Sequence, residues 1–138
     1  MAAKDIYHDH VKTALIQDGW TITHDHLRMT IGRKDIYIDL GAERLIAAER
    51  DKQKIAVEVK SFVGRSDVAD LEKALGQFVL YEDVLNEQEP DRTLYLAIRQ
   101  TVYHDLFEEP IGQILLKNKR VRLVIFNPET KEIVEWIK

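Results

Sequence analysis

The sequence predicts an α/β (α+β) domain, a mixed sheet flanked by helices, and three observations carry that expectation. Residues 54–60 (KIAVEVK) alternate apolar and other side chains with the period of a strand. Residues 93–98 (TLYLAI) are short and uniformly apolar, the composition of a strand buried on both faces. Between them, Ser66 can cap a helix over residues 67–88, whose apolar stripe is Val68, Leu71, Leu75, Phe78 and Leu85 and which Pro90 ends.

The remaining elements follow from the same patterns. In residues 4–17 (KDIYHDHVKTALIQ), Ile6, Val11, Leu15 and Ile16 lie near helical spacing, and Gly19 stops the helix. Residues 20–23 form a short β-branched strand, whereas residues 24–36 are mixed and receive no assignment. A strand over 43–49 (ERLIAAE) precedes the strand at 54–60, with the charged turn Arg50-Asp51-Lys52-Gln53 between them. Residues 102–117 hold another helix, broken or restarted near Pro110. A C-terminal hairpin, 122–126 and 133–137, closes on the turn Asn127-Pro128-Glu129-Thr130. The predicted order is α-β-β-β-α-β-α-β-β.

All 138 residues read as a single domain, with no repeat, low-complexity tract or Pro/Gly-rich linker. The net charge of −4 gives no electrostatic footprint for unaided nucleic-acid binding, although it leaves room for a local basic groove. The chain has no cysteine, hence neither disulfides nor a thiolate metal site, which suits the cytoplasm. No apolar run approaches the ~18 residues of a membrane span, and the N-terminus MAAKDIYHDH is too polar for a signal peptide.

The hairpin concentrates the chemistry. A turn centred on Asp51 and Lys52 places Glu58 opposite Leu45 and Lys60 opposite Glu43. One face then carries Ile55, Val57 and Val59 with Ile46 and Ala48, and the other gathers Glu43, Glu58 and Lys60 beside Ala47 and Ala56. Two carboxylates and an ammonium on one patch can hold Mg²⁺ through hard oxygen ligands while the lysine steadies a water or a phosphoryl oxygen. The plainer alternative is a solvent-facing ion pair. The five histidines (His8, His10, His24, His26 and His104) show no tight metal spacing, and Lys117-Asn118-Lys119-Arg120 reads as a helix C-terminus complementing its dipole.

An acidic residue, a gap and then E-x-K on a hairpin after an N-terminal helix resembles the PD-(D/E)xK nuclease superfamily, whose restriction-endonuclease-like core runs α-β-β-β-α-β. The segments AAKDIYHDHVKTALIQDGWTITHD, IDLGAERLIAAE, KIAVEVKSF, ALGQFVLYEDVL and RTLYLAI are similar to the XisH family, the fdxN-element excision controlling factors of cyanobacteria. The resemblance spans nearly the whole chain. It implies an endonuclease-like fold with an extra helix and hairpin, a DNA-linked role in programmed excision of a genomic element, and a XisI-type partner protein.

Residue by residue, the resemblance implies that Glu58 and Lys60 are the E-x-K pair. The preceding acid is Glu43 by hairpin geometry, with Asp39 in IDLG as its competitor, since no Pro-Asp dipeptide is present. Glu58, Glu43 or Asp39, and the Val59 carbonyl would bind Mg²⁺ or Mn²⁺. Where many members carry a glutamate on the first helix, this chain has His8 beside Asp9. Gln77 and Tyr81 match a Q-x-x-x-Y pattern whose i, i+4 spacing puts both on one helix face, able to contact DNA backbone or brace the lysine. Two functions remain open: a Mg²⁺-dependent endonuclease, or a non-catalytic accessory protein that regulates a site-specific recombinase through protein contacts.

Overall fold

The computed structural model describes residues 5–45 and 52–138. Helix α1 (His8–Gln17) leads into strand β1 (Thr21–His24), then a hairpin of β2 (Leu27–Ile31) and β3 (Lys34–Ile38). Strands β4 (Leu40–Leu45) and β5 (Lys52–Val59) follow, then helix α2 (Asp67–Gln88) and strand β6 (Arg92–Arg99). Helix α3 (Gln100–Val102) runs into a π-type turn at Tyr103–Phe107; helix α4 (Pro110–Lys117), β7 (Leu123–Asn127) and β8 (Glu132–Ile137) complete the order.

Among the described residues, six strands form one sheet in the order β1-β4-β5-β6-β7-β8, while β2 and β3 pair only with each other. The β5–β6 and β6–β7 pairs are parallel and the others antiparallel, so the sheet is mixed. The parallel pairs need crossover connections, supplied by α2 and by the α3–α4 segment. Both crossovers pack on one face, where Phe78, Leu85, Leu96, Phe107 and Ile125 share a core. The opposite face buries Val11 and Leu15 of α1 against Leu40, Val57, Tyr95 and Phe126. With both faces covered, β5 and β6 are buried on alternate and intervening positions alike, which explains the uniformly apolar TLYLAI.

Several elements coincide with the sequence expectation. Helix α2 has the expected bounds, and the Ser66 hydroxyl accepts from the Ala69 N–H at 3.1 Å. Within its stripe Leu71, Phe78 and Leu85 are buried, whereas Val68 is exposed. Ser66→Ala should cost about 1 kcal/mol in urea unfolding, with an unchanged m-value. Pro110 takes the first turn of α4, and Gly19, at φ +93°, ends the first helix as expected. In the terminal hairpin the Asn127 Oδ1 accepts from the Glu129 N–H at 2.9 Å, tightening the expected turn.

One unassigned stretch is filled in and one expectation is corrected. Residues 24–36 contain most of the β2–β3 hairpin, turned at Gly32 with φ +58°. Its Leu27, Met29, Ile36 and Ile38 pack on the α2 side of the sheet, and the Gln88 amide donates to the Thr30 carbonyl at 2.9 Å. The strand expected at 43–49 runs instead over Leu40–Leu45 among the described residues, and Glu43 pairs with Lys54 rather than Lys60. Leu45 pairs with Lys52, so six residues (46–51) separate the paired ends where a tight turn was expected. Ile46, Ala47 and Ala48 of the expected pattern, with Arg50 and Asp51 of the turn, lie outside the described residues.

Candidate active site

The register decides which acid joins Glu58. Leu40 opposes Val57, so Asp39, at the bend joining β3 to β4, lies beside Glu58. Two reciprocal bonds fix the pair: the Val59 N–H donates to Asp39 Oδ2 at 2.8 Å, and the Asp39 N–H donates to Glu58 Oε1 at 3.2 Å. Lys60 Nζ stands 3.5 Å from Glu58 Oε2, and its backbone N–H is tied to the Ala97 carbonyl of β6 at 3.1 Å.

Glu43 is not part of this cluster. The six-residue change of register is even, so Glu43 stays on the Glu58 side of the sheet but four positions away, roughly 13 Å along the strand. There it pairs with Lys52 Nζ at 2.8 Å, and that bond holds its carboxyl below the usual range. The first acid of the cluster is Asp39.

Asp39, Glu58 and Lys60 open into a cavity of about 830 Å³ at the C-terminal end of β5. His8, Gln77 and Tyr81 line the same cavity, so the structure brings together every sequence-derived site residue except Glu43. Tyr81 feels both carboxylates: burial first, then the charges of Glu58 and Asp39, push its phenol up to about 12. The tyrosine is therefore a neutral O–H donor at any physiological pH. Gln77 Oε1 is buried with no hydrogen-bond partner among the described residues.

The two carboxylates are held uneasily. Burial, and next the charge of Asp39, push Glu58 up to about 8, against the opposing pull of Lys60 and the Asp39 N–H. Asp39 is also raised, chiefly by burial, with the Val59 N–H, His8 and Lys60 working the other way. Like charges that cannot escape each other raise the value of at least one partner, and a buried pair of this kind marks a functional site more often than a surface ion pair does.

Around the sequence-derived His8 and Lys60, the pattern-based reading missed several contributors: Asp5, Lys12, Asp25, Lys73 and Arg99. His8 is buried, with Nε2 at 2.6 Å from Asp25 Oδ1; since a carboxylate can only accept, the imidazole donates through Nε2. Lys12 Nζ holds the other oxygen of Asp25 at 2.8 Å. Asp25 lies in the stretch 24–36, which received no assignment from its pattern. Ser61, next to the catalytic candidate Lys60, is pinned at both ends. Its N–H donates to Asp5 Oδ2 at 3.0 Å, and its carbonyl accepts from Arg99 at 2.7 Å. Phe62 then turns the chain with a left-handed φ of +53°, a costly conformation for an aromatic residue and one found where surrounding structure over-determines the backbone. Lys73 also lines the cavity; its spacing to Gln77 and Tyr81, i, i+4 and i+8, was the signal available in the sequence.

An α+β fold with a six-stranded mixed sheet among the described residues, helices on both faces and an Asp–Glu–Lys cluster around a buried glutamate at the end of a central strand defines the class. A family model described as XisH protein matches residues 1–134, and the chain belongs to the XisH family. The crystal structure of an XisH family protein from Nostoc punctiforme PCC 73102 superimposes with a TM-score of 0.87 at 37% identity, covering 97% of this chain and 100% of that one. That of an fdxN element excision controlling factor protein from Anabaena variabilis gives a TM-score of 0.86 at 38% identity, covering 98% and 100%. No curated protein matches significantly. No helix among the described residues is long and apolar enough to cross a membrane.

Proposed function

We propose that the chain is a DNA-acting factor in programmed excision of a genomic element, with a divalent-metal-dependent phosphodiesterase site of the PD-(D/E)xK type. The observation that carries this reading is the Asp39–Glu58–Lys60 cluster, a buried glutamate between a half-buried aspartate and a half-buried lysine at one end of β5. The Anabaena relative, named as an excision controlling factor, supports the biological setting.

The donor set suits a hard cation. Among the described residues no three His, Cys, Asp or Glu side chains are grouped to hold a metal. Asp39, Glu58 and the Val59 carbonyl would hold Mg²⁺ or Mn²⁺, with water completing the shell, as is usual for Mg²⁺ bound by one or two carboxylates. Bound there, the cation supplies positive charge to the phosphoryl oxygens. Lys60 orients the attacking water and stabilises charge on the phosphoryl group. Tyr81 donates its O–H to a phosphate oxygen, and Gln77 braces the lysine or the water. Water oxygen bonds to phosphorus, the opposite P–O bond breaks, and the products are a phosphomonoester and a hydroxyl end. Rate enhancement comes from positioning and charge stabilisation.

The second reading, an accessory protein that regulates a recombinase through protein contacts, draws on the net charge of −4, which suits a factor brought to DNA by a partner such as a XisI-type protein. Cleavage of single-stranded, duplex and branched DNA in Mg²⁺ or Mn²⁺, with and without that partner, separates the two. Activity falling about 100-fold in Lys60→Ala supports the phosphodiesterase. Activity identical in Lys60→Ala, or absent on every substrate with the partner present, leaves the accessory reading.

A further inference from the structure

The cavity is lined by acids as much as by bases. Among the described residues, Asp5, Asp25, Asp39 and Glu58 face it, with Lys60 and Lys73 as the ammonium groups. Binding of a duplex relies on many cations spread along two phosphate backbones, and neither this lining nor the net charge of −4 provides them. Aromatic groups are present instead. Tyr37 of β3 and His26 enter from the hairpin side, while Tyr81 enters from α2. His26 stacks edge-on against Tyr37, ring centroids 5.0 Å apart, which fixes the phenol ring. Tyr37 is only half-buried, on the face of the hairpin turned away from the core: its cross-strand partner is Arg28, whereas Leu27, Met29, Ile36 and Ile38 point inward.

Access points the same way. Glu58 is 8% exposed, so a phosphodiester reaches it only by entering the cavity. The cavity volume of about 830 Å³ lies in the range that takes a nucleotide-sized ligand, ~300–1,000 Å³. A phosphate on an intact duplex is flanked by the bulk of the double helix. One on an unpaired strand can enter with its base.

We propose that the site takes an unpaired nucleic-acid strand, with Tyr37 as the platform on which one base stacks and Lys73 as the contact to a neighbouring phosphate. This rests on the phosphodiesterase reading for its purpose but not for its test. Aromatic platforms bind single strands with little sequence preference, because every base offers a π-face. The hairpin thereby acquires a role that its absence from the six-stranded sheet leaves unexplained.

Fluorescence anisotropy in EDTA tests binding without cleavage, using a labelled 12-nucleotide DNA, its duplex and the RNA of the same sequence. Wild type should bind the single strand at least 10-fold tighter than the duplex. Tyr37→Ala should weaken single-strand binding about 10-fold, and Tyr37→Phe should retain it, since the ring and not the hydroxyl stacks. The RNA arm shows which unpaired strand is preferred. Equal or tighter duplex binding, or wild-type single-strand binding by Tyr37→Ala, overturns the proposal. Single-strand preference without cleavage under Mg²⁺ upholds it while removing the phosphodiesterase reading; cleavage with duplex preference does the reverse. A melting curve unchanged between Tyr37→Phe and Tyr37→Ala establishes that lost binding is not lost folding.

Discussion

The metal-free protein should be more stable at pH 5.5 than at pH 8.5, and Glu58→Gln should remove most of that difference. The ordinary glutamate value of 4.5 is raised in the fold to about 8. Below the ordinary value the side chain is protonated whether the chain is folded or not. Between the two values the folded protein keeps a proton that the unfolded chain releases, so stability falls as pH rises and is lost through the folded value. At ~1.4 kcal/mol per unit, a shift of this size amounts to several kcal/mol. Asp39, also raised, acts in the same direction. Asp25, lowered below its ordinary 3.8 by Lys12 and His8, contributes only at more acid pH, outside this window. At pH 8.5 Glu58→Gln should therefore melt above wild type. Millimolar Mg²⁺ should raise the wild-type melting temperature more at pH 8 than at pH 6, because binding must displace the Glu58 proton, and should leave Glu58→Gln unmoved. Thermal melts at three pH values with and without metal are sufficient. A flat wild-type profile, with Glu58→Gln lower by under ~1 kcal/mol and no response to metal, would make Glu58 an ordinary partner of Lys60.

What the sequence revealed of the fold depended on whether local signals agreed. Helix α2 has a serine cap, an apolar stripe and a terminating proline, all marking one segment. Strand β6 was legible because parallel neighbours and covering helices on both faces demand a continuous apolar run. The β2–β3 hairpin was not, because its strands are five residues each and bury one face alone, leaving Arg28, Thr30 and Asp35 to dilute the pattern. The helix expected over 102–117 is divided by the π-type turn, a choice made by the burial of Leu106 and Phe107 rather than by helix propensity.

For the site, period and spacing sufficed wherever the residues share one element. Glu58 and Lys60 lie two apart at the end of β5 and just past it, and Gln77 and Tyr81 four apart on a helix, so periodicity alone placed each pair on one side. Asp39 needed the register of β4 against β5, which depends on the length of the connection between them. A tight turn favours Glu43, and a six-residue separation favours Asp39. Asp5 and Asp25 are brought in by tertiary contacts 56 and 17 residues distant in sequence, to Ser61 and His8. No local pattern encodes such contacts.

Gly112→Ala should destabilise the protein by more than about 3 kcal/mol, opposite in sign to helix propensity. In a helix interior, alanine is ordinarily the better residue by roughly 0.5–1 kcal/mol. A Cβ on Gly112, however, would lie 2.2 Å from Phe107 Cα, 2.6 Å from the Leu106 carbonyl oxygen and 2.8 Å from the Phe107 carbonyl carbon. All three are backbone atoms, so no rotamer change relieves the contact, and α4 must move off the π-type turn. That turn carries Leu106 and Phe107 into the core, 3% and 0% exposed, so the movement opens buried apolar surface as well as relieving the collision. Gly76 provides the internal control. It also sits inside a helix, yet a Cβ there meets nothing within 4 Å, so Gly76→Ala should follow propensity and stabilise by up to about 1 kcal/mol. Urea midpoints of the two variants should move in opposite directions. Equal and favourable shifts would mean that α4 does not approach the π-type turn this closely, and the packing of the α3–α4 crossover on the sheet would have to be redrawn.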